Sequence, residues 1–142
     1  MNNKLPTKTI TMENIEEIYE YIFAPYVKQL MLSFLKIEEG RVIAKLKNST
    51  DYQFITGAVS GQVLMSVIDT TMSIAMNTSV KSQRGTLSQN NNFIRPAFGD
   101  YFIIESIVQR FGSSIAIGET KVYSEDNKEK IICHSTSTFP LK

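Results

Sequence analysis

The chain predicts an α+β fold, a long antiparallel sheet with one face covered by a central helix. Three observations carry that prediction. Residues 60 to 76, Ser-Gly-Gln-Val-Leu-Met-Ser-Val-Ile-Asp-Thr-Thr-Met-Ser-Ile-Ala-Met, are apolar or small on nearly every face of a helix, so other structure must wrap them. Four strand candidates separated by turn signals follow that segment. An amphipathic helix and a strand pair precede it.

Apolar residues at Ile15, Ile18, Tyr19, Ile22, Phe23, Tyr26, Val27 and Leu30 recur at helical spacing. They predict an N-terminal helix over 12–32, capped by Thr11 and broken or kinked at Pro25. Residues 1–11 are polar and are expected to be flexible. Ser33 to Glu38, a turn at Glu39-Gly40 and Arg41 to Lys47 form the strand pair, with Val42, Ala44 and Leu46 facing inward. Residues 48–59 are loop-like and lead into the central helix, expected over 60–80. The later strands are Thr86–Ile94, Tyr101–Phe111, Ile115–Tyr123 and Lys130–Phe139. The first is unusual, because Gln89-Asn90-Asn91-Asn92 has low strand propensity.

With 142 residues, 42% hydrophobic and 20% charged, the chain is expected to be a single domain over 1–142. Its 15 basic and 14 acidic residues leave a net charge of +1, so no global field draws in nucleic acid or an anionic membrane. One cysteine, Cys133, excludes an internal disulfide. The polar first residues lack a secretory signal, and the central segment is too short and polar to span a bilayer. A cytoplasmic protein is expected, bound to neither nucleic acid nor membrane. One histidine, His134, argues against a His-based metal site or a Ser-His-Asp triad.

Asp69 is the only acid in the central segment, and no Lys or Arg lies within helical reach. Such a carboxylate is either satisfied by an amide or hydroxyl, or it does chemical work. Ser60 is a good N-cap. The amides of Gly61 and Gln62 then sit at the positive end of the helix dipole, which stabilises a carbonyl oxygen that becomes negative. Most Ser-Gly pairs merely begin a helix. Eight residues separate Gly61 from Asp69, about 12 Å of rise and roughly 80° of rotation. One helix cannot place both around a single carbonyl. If they share a site, it joins two copies of the chain, which predicts a homodimer.

The residues that carry those features also resemble a known family. Gly57-Ala-Val-Ser60-Gly61-Gln62, followed seven residues later by Asp69, is similar to the Gly-x-x-His-Gly-Gly…Asp segment of hotdog-fold acyl-CoA thioesterases. Gly85 to Asp100, Val108 to Gly112 and Val122 to Asp126 resemble the later strands of the phenylacetyl-CoA thioesterase-like branch. The match runs from about Tyr52 to the C-terminus.

The resemblance implies a sheet wrapped round the central helix, homodimers or homotetramers, no metal, and no cofactor beyond the coenzyme A of the substrate. Hydrolysis of an acyl-CoA thioester to free acid and CoA is the implied activity. By the same resemblance Asp69 is general base or nucleophile, Gly61 an oxyanion donor from the partner chain, and Thr86 a residue that positions water or substrate.

Three departures stand out. Ser60 replaces the family's His, Gln62 its second Gly, and Phe54 an Asn, with Gln53 beside it as a substitute. These four positions are the expected substrate contacts. Arg95, Arg110, Arg84 and Lys81 are candidates for the phosphates of CoA, against the simpler reading of solvated charge. Met65, Met72, Met76 and Phe93 are candidates to line an acyl pocket or simply to fill the core. A non-catalytic acyl-CoA sensor or carrier is the main alternative. A hydratase, which normally needs an Asp-His pair, and a purely structural oligomer rank lower.

Overall fold

Six strands form one antiparallel sheet in the order β1-β2-β4-β5-β6-β3, and a single long helix lies across it. A computed structural model describes residues 9–79 and 85–141. The strands are β1 (Ser33–Glu38), β2 (Arg41–Lys47), β3 (Ser88–Phe93), β4 (Tyr101–Phe111), β5 (Ile115–Ser124) and β6 (Ile131–Pro140). The central helix, α3, spans Gly61–Met76. Strand placement thus follows the sequence expectation to within two residues at every end. Even Gln89-Asn-Asn-Asn joins the sheet, because its backbone pairs with β6 along the full length of β3. Tertiary pairing overrides propensity there.

The N-terminal helix begins at Ile15 and not at residue 12, and it is broken at Pro25 as expected, giving α1 (Ile15–Ile22) and α2 (Pro25–Lys28). Pro25 excludes the helical conformation from the residue before it, and Ala24 is extended at φ −60°, ψ 152°. Nor is Thr11 the cap. Asn14 occupies that position, and its side chain turns back to accept from the Thr11 amide at 2.8 Å and donate to the Thr9 carbonyl at 2.9 Å. The expected flexibility of residues 1–11 falls largely outside the described residues.

Helix α3 ends at Met76, short of the expected residue 80, which lies outside the described residues. Thr78 explains the stop. Its hydroxyl donates to the Ala75 carbonyl and accepts from the Gly40 amide, both at 2.6 Å, so the helix end is tied to the β1–β2 turn.

Two buried clusters flank α3. Its first half packs Val63, Leu64, Val67 and Ile68 on Ala44, Leu46, Phe102, Ile104 and Val122. Its second half packs Met72, Ile74, Ala75 and Met76 on Val42, Ala116 and Phe139, with Ile15 and Ile18 of α1 closing the far side. The wrapping is incomplete. Gln62 is exposed, and Met65, Ser66, Asp69 and Ser73 are half-buried, so one stripe of α3 stays accessible beside the edge strand β3. Among the described residues, no helix is long and apolar enough to cross a membrane.

Candidate active site along α3 and β3

Ser60 begins α3 as the sequence predicts. Its backbone is extended, and its hydroxyl accepts from the Val63 amide at 3.3 Å. The approach is fixed by backbone pairing: the Ser60 amide donates to Tyr52 O at 2.8 Å, and the Val59 amide to Ala97 O at 3.0 Å. The Gly61 and Gln62 amides find no acceptor among the described residues. They remain donors at the positive helix end. A Cβ on Gly61 would sit 3.3 Å from the Phe93 ring, so glycine lets that half-exposed ring lie against the helix start.

Asp69 lies two turns further along the same stripe. It is half-buried, not sealed, and its carboxylate accepts a hydrogen bond from the Thr86 hydroxyl just before β3. Between these points Gln89 Nε2 comes within 3.5 Å of the Met65 carbonyl. Phe93, Gln89 and Thr86 therefore track Gly61, Met65 and Asp69 in antiparallel order. This fold brings the acid, the expected positioning hydroxyl and the free amide end onto one accessible strip. It leaves Gly61 and Asp69 two turns apart, about 12 Å along the helix.

The other predicted contacts divide. Gln53 is half-buried and spends its Nε2 on Asn48 Oδ1 at 3.3 Å. Phe54 beside it is half-exposed, and neighbouring Ile55 is fully exposed. Arg95 follows β3 and donates to the Ile131 carbonyl at 2.7 Å. It borders an open groove of about 250 Å³, also lined by Pro96, Phe98, Ser124, Asn127 and Lys130. Arg110 is not part of this region. It lies next to the β4–β5 turn, opposite Ile117, at the other end of the sheet from Arg95. Arg84 and Lys81 fall outside the described residues.

Met72 and Met76 are fully buried core residues, and Met65 is half-buried on the open strip. His134 faces away from α3 and pairs with Glu119 at 3.0 Å. Cys133 is buried, and desolvation pushes its thiol up to about 11, against a lowering hydrogen bond at the Asn92 backbone. Among the described residues, no three His, Cys, Asp or Glu side chains cluster closely enough to hold a metal ion.

One feature escaped the sequence. Cross-strand rows on the helix-facing side of the sheet change character abruptly. Ala44, Ile104, Val122, Cys133 and Phe93 form an apolar row, whereas the next runs Val42, Ser106, Thr120, Ser135 and Asn91. Beyond it stand Val108, Gly118, Ser137 and Gln89. Ser106 and Thr120 satisfy each other at 2.7 Å. The hydroxyls of Ser135 and Ser137 and the Oδ1 of Asn91 are buried without a partner among the described residues. The signal that could have found them is the inward phase of small polar residues in β6.

The model of the thioesterase superfamily matches residues 56–131, more than half of the chain. The chain belongs to that superfamily. A Saccharolobus solfataricus protein provisionally named an esterase is 27% identical over 115 residues, 80% of this chain and 81% of that protein. The Haemophilus influenzae thioesterase structure superposes with a TM-score of 0.81 at 21% identity, covering 98% of this chain and 95% of that one. A Streptococcus pneumoniae thioesterase protein, solved with coenzyme A, gives a TM-score of 0.72 at 15% identity over 78% and 85% of the two chains. These likenesses establish the hotdog fold of the thioesterase superfamily.

Proposed function

We propose that this thioesterase-superfamily protein hydrolyses acyl-CoA thioesters to a free acid and CoA, as a cytoplasmic homodimer or a pair of such dimers. The observation that carries this reading is the strip on α3. An accessible acid held by a threonine hydroxyl shares it with an uncapped, glycine-bearing helix start. In the reaction, water adds to the thioester carbonyl as Asp69 takes its proton, the C–S bond breaks, and CoA leaves as the thiol. Asp69 can instead attack the carbonyl directly, breaking the C–S bond and releasing CoA, and the mixed acyl-enzyme anhydride so formed is then opened by water. In either course the Gly61 amide of the second copy stabilises the oxyanion.

The homodimer is supported by the single chain's own surface. The α3 strip is open, the β3 edge is unpaired among the described residues, and Phe93, Phe54, Ile55 and Phe98 are all at least half-exposed nearby. A twofold axis beside this strip sets Asp69 of one chain against the Gly61 end of the other. Arg95 and Lys130 at their groove supply cations for the phosphates of CoA. The coenzyme A in the Streptococcus pneumoniae structure is consistent with this substrate class.

Asp69→Asn tests the proposal. Asparagine still accepts from Thr86, so the fold and its melting temperature are expected to hold. Thiol release is expected to fall by about 10²–10⁴. Unchanged turnover removes Asp69 from the mechanism. Ser60, Gln62 and Phe54, which depart from the family's His, Gly and Asn, favour a second reading, a module that binds acyl-CoA without cleaving it. Binding without thiol release across an acyl-CoA panel selects that reading.

A further inference from the structure

We propose that the acyl groups this protein takes carry a hydroxyl of their own, read by Asn91, Ser135 and Ser137 on the helix-facing side of β3 and β6. The inference rests on the acyl-CoA reading and adds the chemistry of the acyl part. Ser135 is 0% and Ser137 2% exposed, yet neither hydroxyl has a partner among the described residues. The neighbouring row shows that this sheet accepts apolar residues at equivalent positions, with Val122 and Cys133 fully buried there. Buried polar atoms in native proteins are nearly always satisfied, so an unpartnered group points to something that binds it.

The placement singles out the acyl part of the substrate. Asn91 pairs with Ser135 and Gln89 with Ser137 across β3 and β6. Gln89 comes within 3.5 Å of the Met65 carbonyl on the α3 strip, and Thr86, three residues earlier, holds Asp69. A thioester presented to Asp69 therefore has this polar block next to it, under α3.

The donor and acceptor inventory then selects the ligand. Asn91 Nδ2 is engaged by Gln89 Oε1 at 3.3 Å, which leaves Oδ1 as a fixed acceptor. The two serines are rotatable groups that donate or accept. A ligand hydroxyl donates to Asn91 and accepts from a serine, using both kinds of site. A keto oxygen uses only the serines, and a hydrocarbon uses none. No lysine or arginine occurs in β3 or β6, so an acyl carboxylate has no counter-charge there. Met72, which lies against Gly118 beside Ser137, is a flexible side chain able to give way to the ligand.

The test pairs butyryl-, hexanoyl- and octanoyl-CoA with their β-hydroxy and ω-hydroxy counterparts, using the full chain. For at least one position, kcat/KM is expected to favour the hydroxylated member by about 10-fold or more. In Ser135→Ala and Ser137→Ala the ratio is expected to fall toward one. The melting temperature of the free variants should hold or rise, since each loses an unpartnered buried hydroxyl. A wild type that cleaves saturated chains equally well overturns the inference while leaving thioester hydrolysis intact. A preference that survives both substitutions overturns the assignment to these serines. If no acyl-CoA is cleaved, the hydrolase reading fails separately. Dissociation constants for the same pairs then decide the inference: tighter binding of the hydroxylated members upholds it, and equal binding overturns it.

Discussion

The two sides of α3 obey different rules. The side toward β2 and β4 carries Val63, Leu64, Val67, Ile68, Ile74 and Ala75, all buried and packed against apolar strand residues. The side toward β3 carries Gly61, Met65 and Asp69, with an exposed glutamine and two half-buried serines beside them. Burial of apolar area explains most of the first side, at about 25 cal/mol per Å², with the buried Thr71 hydroxyl donating to the Val67 carbonyl. It explains nothing on the second, where an acid, two free amides and a hydrogen-bonded threonine are kept accessible. The asymmetry separates the residues that build this fold from those it leaves accessible.

Ile68 and Asp69 are chain neighbours on opposite sides of that divide, so the sharpest way to break the comparison is to change the first. Ile68 is fully buried between the sheet and α3. Ile68→Ala is expected to cost about 2–5 kcal/mol of stability, read as a drop in denaturation midpoint with an unchanged slope. A loss below about 1 kcal/mol would mean that the packed side is not what holds α3 on the sheet. Asp69→Asn should show the reverse pattern, with stability kept and thiol release lost.

A smaller effect sharpens the boundary between the sides. Gly118 lies in β5 directly under Met72, and a Cβ there would approach the Met72 sulfur to 2.5 Å. Gly118→Ala must therefore push that side chain aside, at an expected cost of about 1–2 kcal/mol. Because Gly118 neighbours Ser137, the displaced methionine should also alter which acyl chains are cleaved. Stability loss with an unaltered acyl profile would separate Met72 from the acyl site.

How much of this was legible in the sequence follows the same divide. Hydrophobic period located the central helix and, with turn signals, the strands, because alternation and helical spacing are local consequences of burial on one face; only β3, Ser-Gln-Asn-Asn-Asn-Phe, lacks that period. Asp69, Gly61 and Thr86 were legible for a different reason: an acid amid apolar residues and a Ser-Gly start are conspicuous, and their spacing matched a family. The polar block on β3 and β6 was not. The inward phase of Ser135 and Ser137 is visible in β6 alone, but what they face comes from register, which sets them opposite Asn91 and Gln89, and a single strand's sequence holds no register. The break at Pro25 was legible too, because proline ends one helix and begins the next. Arg110 was grouped with Arg95 by charge and by position at a strand end, and sheet topology places them at opposite ends of the sheet.

The smallest effect is expected at Ser60, where both roles meet in one side chain. Its hydroxyl caps α3 by accepting from Val63, and the same residue stands where a substrate carbonyl would approach. Ser60→Ala removes the cap and should cost about 1 kcal/mol, whereas Ser60→Gly should cost only a few tenths. If the serine serves only the helix, thiol release should track stability, with glycine near wild type and alanine lower. If the hydroxyl also contacts substrate, both variants should lose activity to a similar degree despite their different melting temperatures. Measuring the two variants side by side therefore assigns Ser60 to one side of α3 or the other.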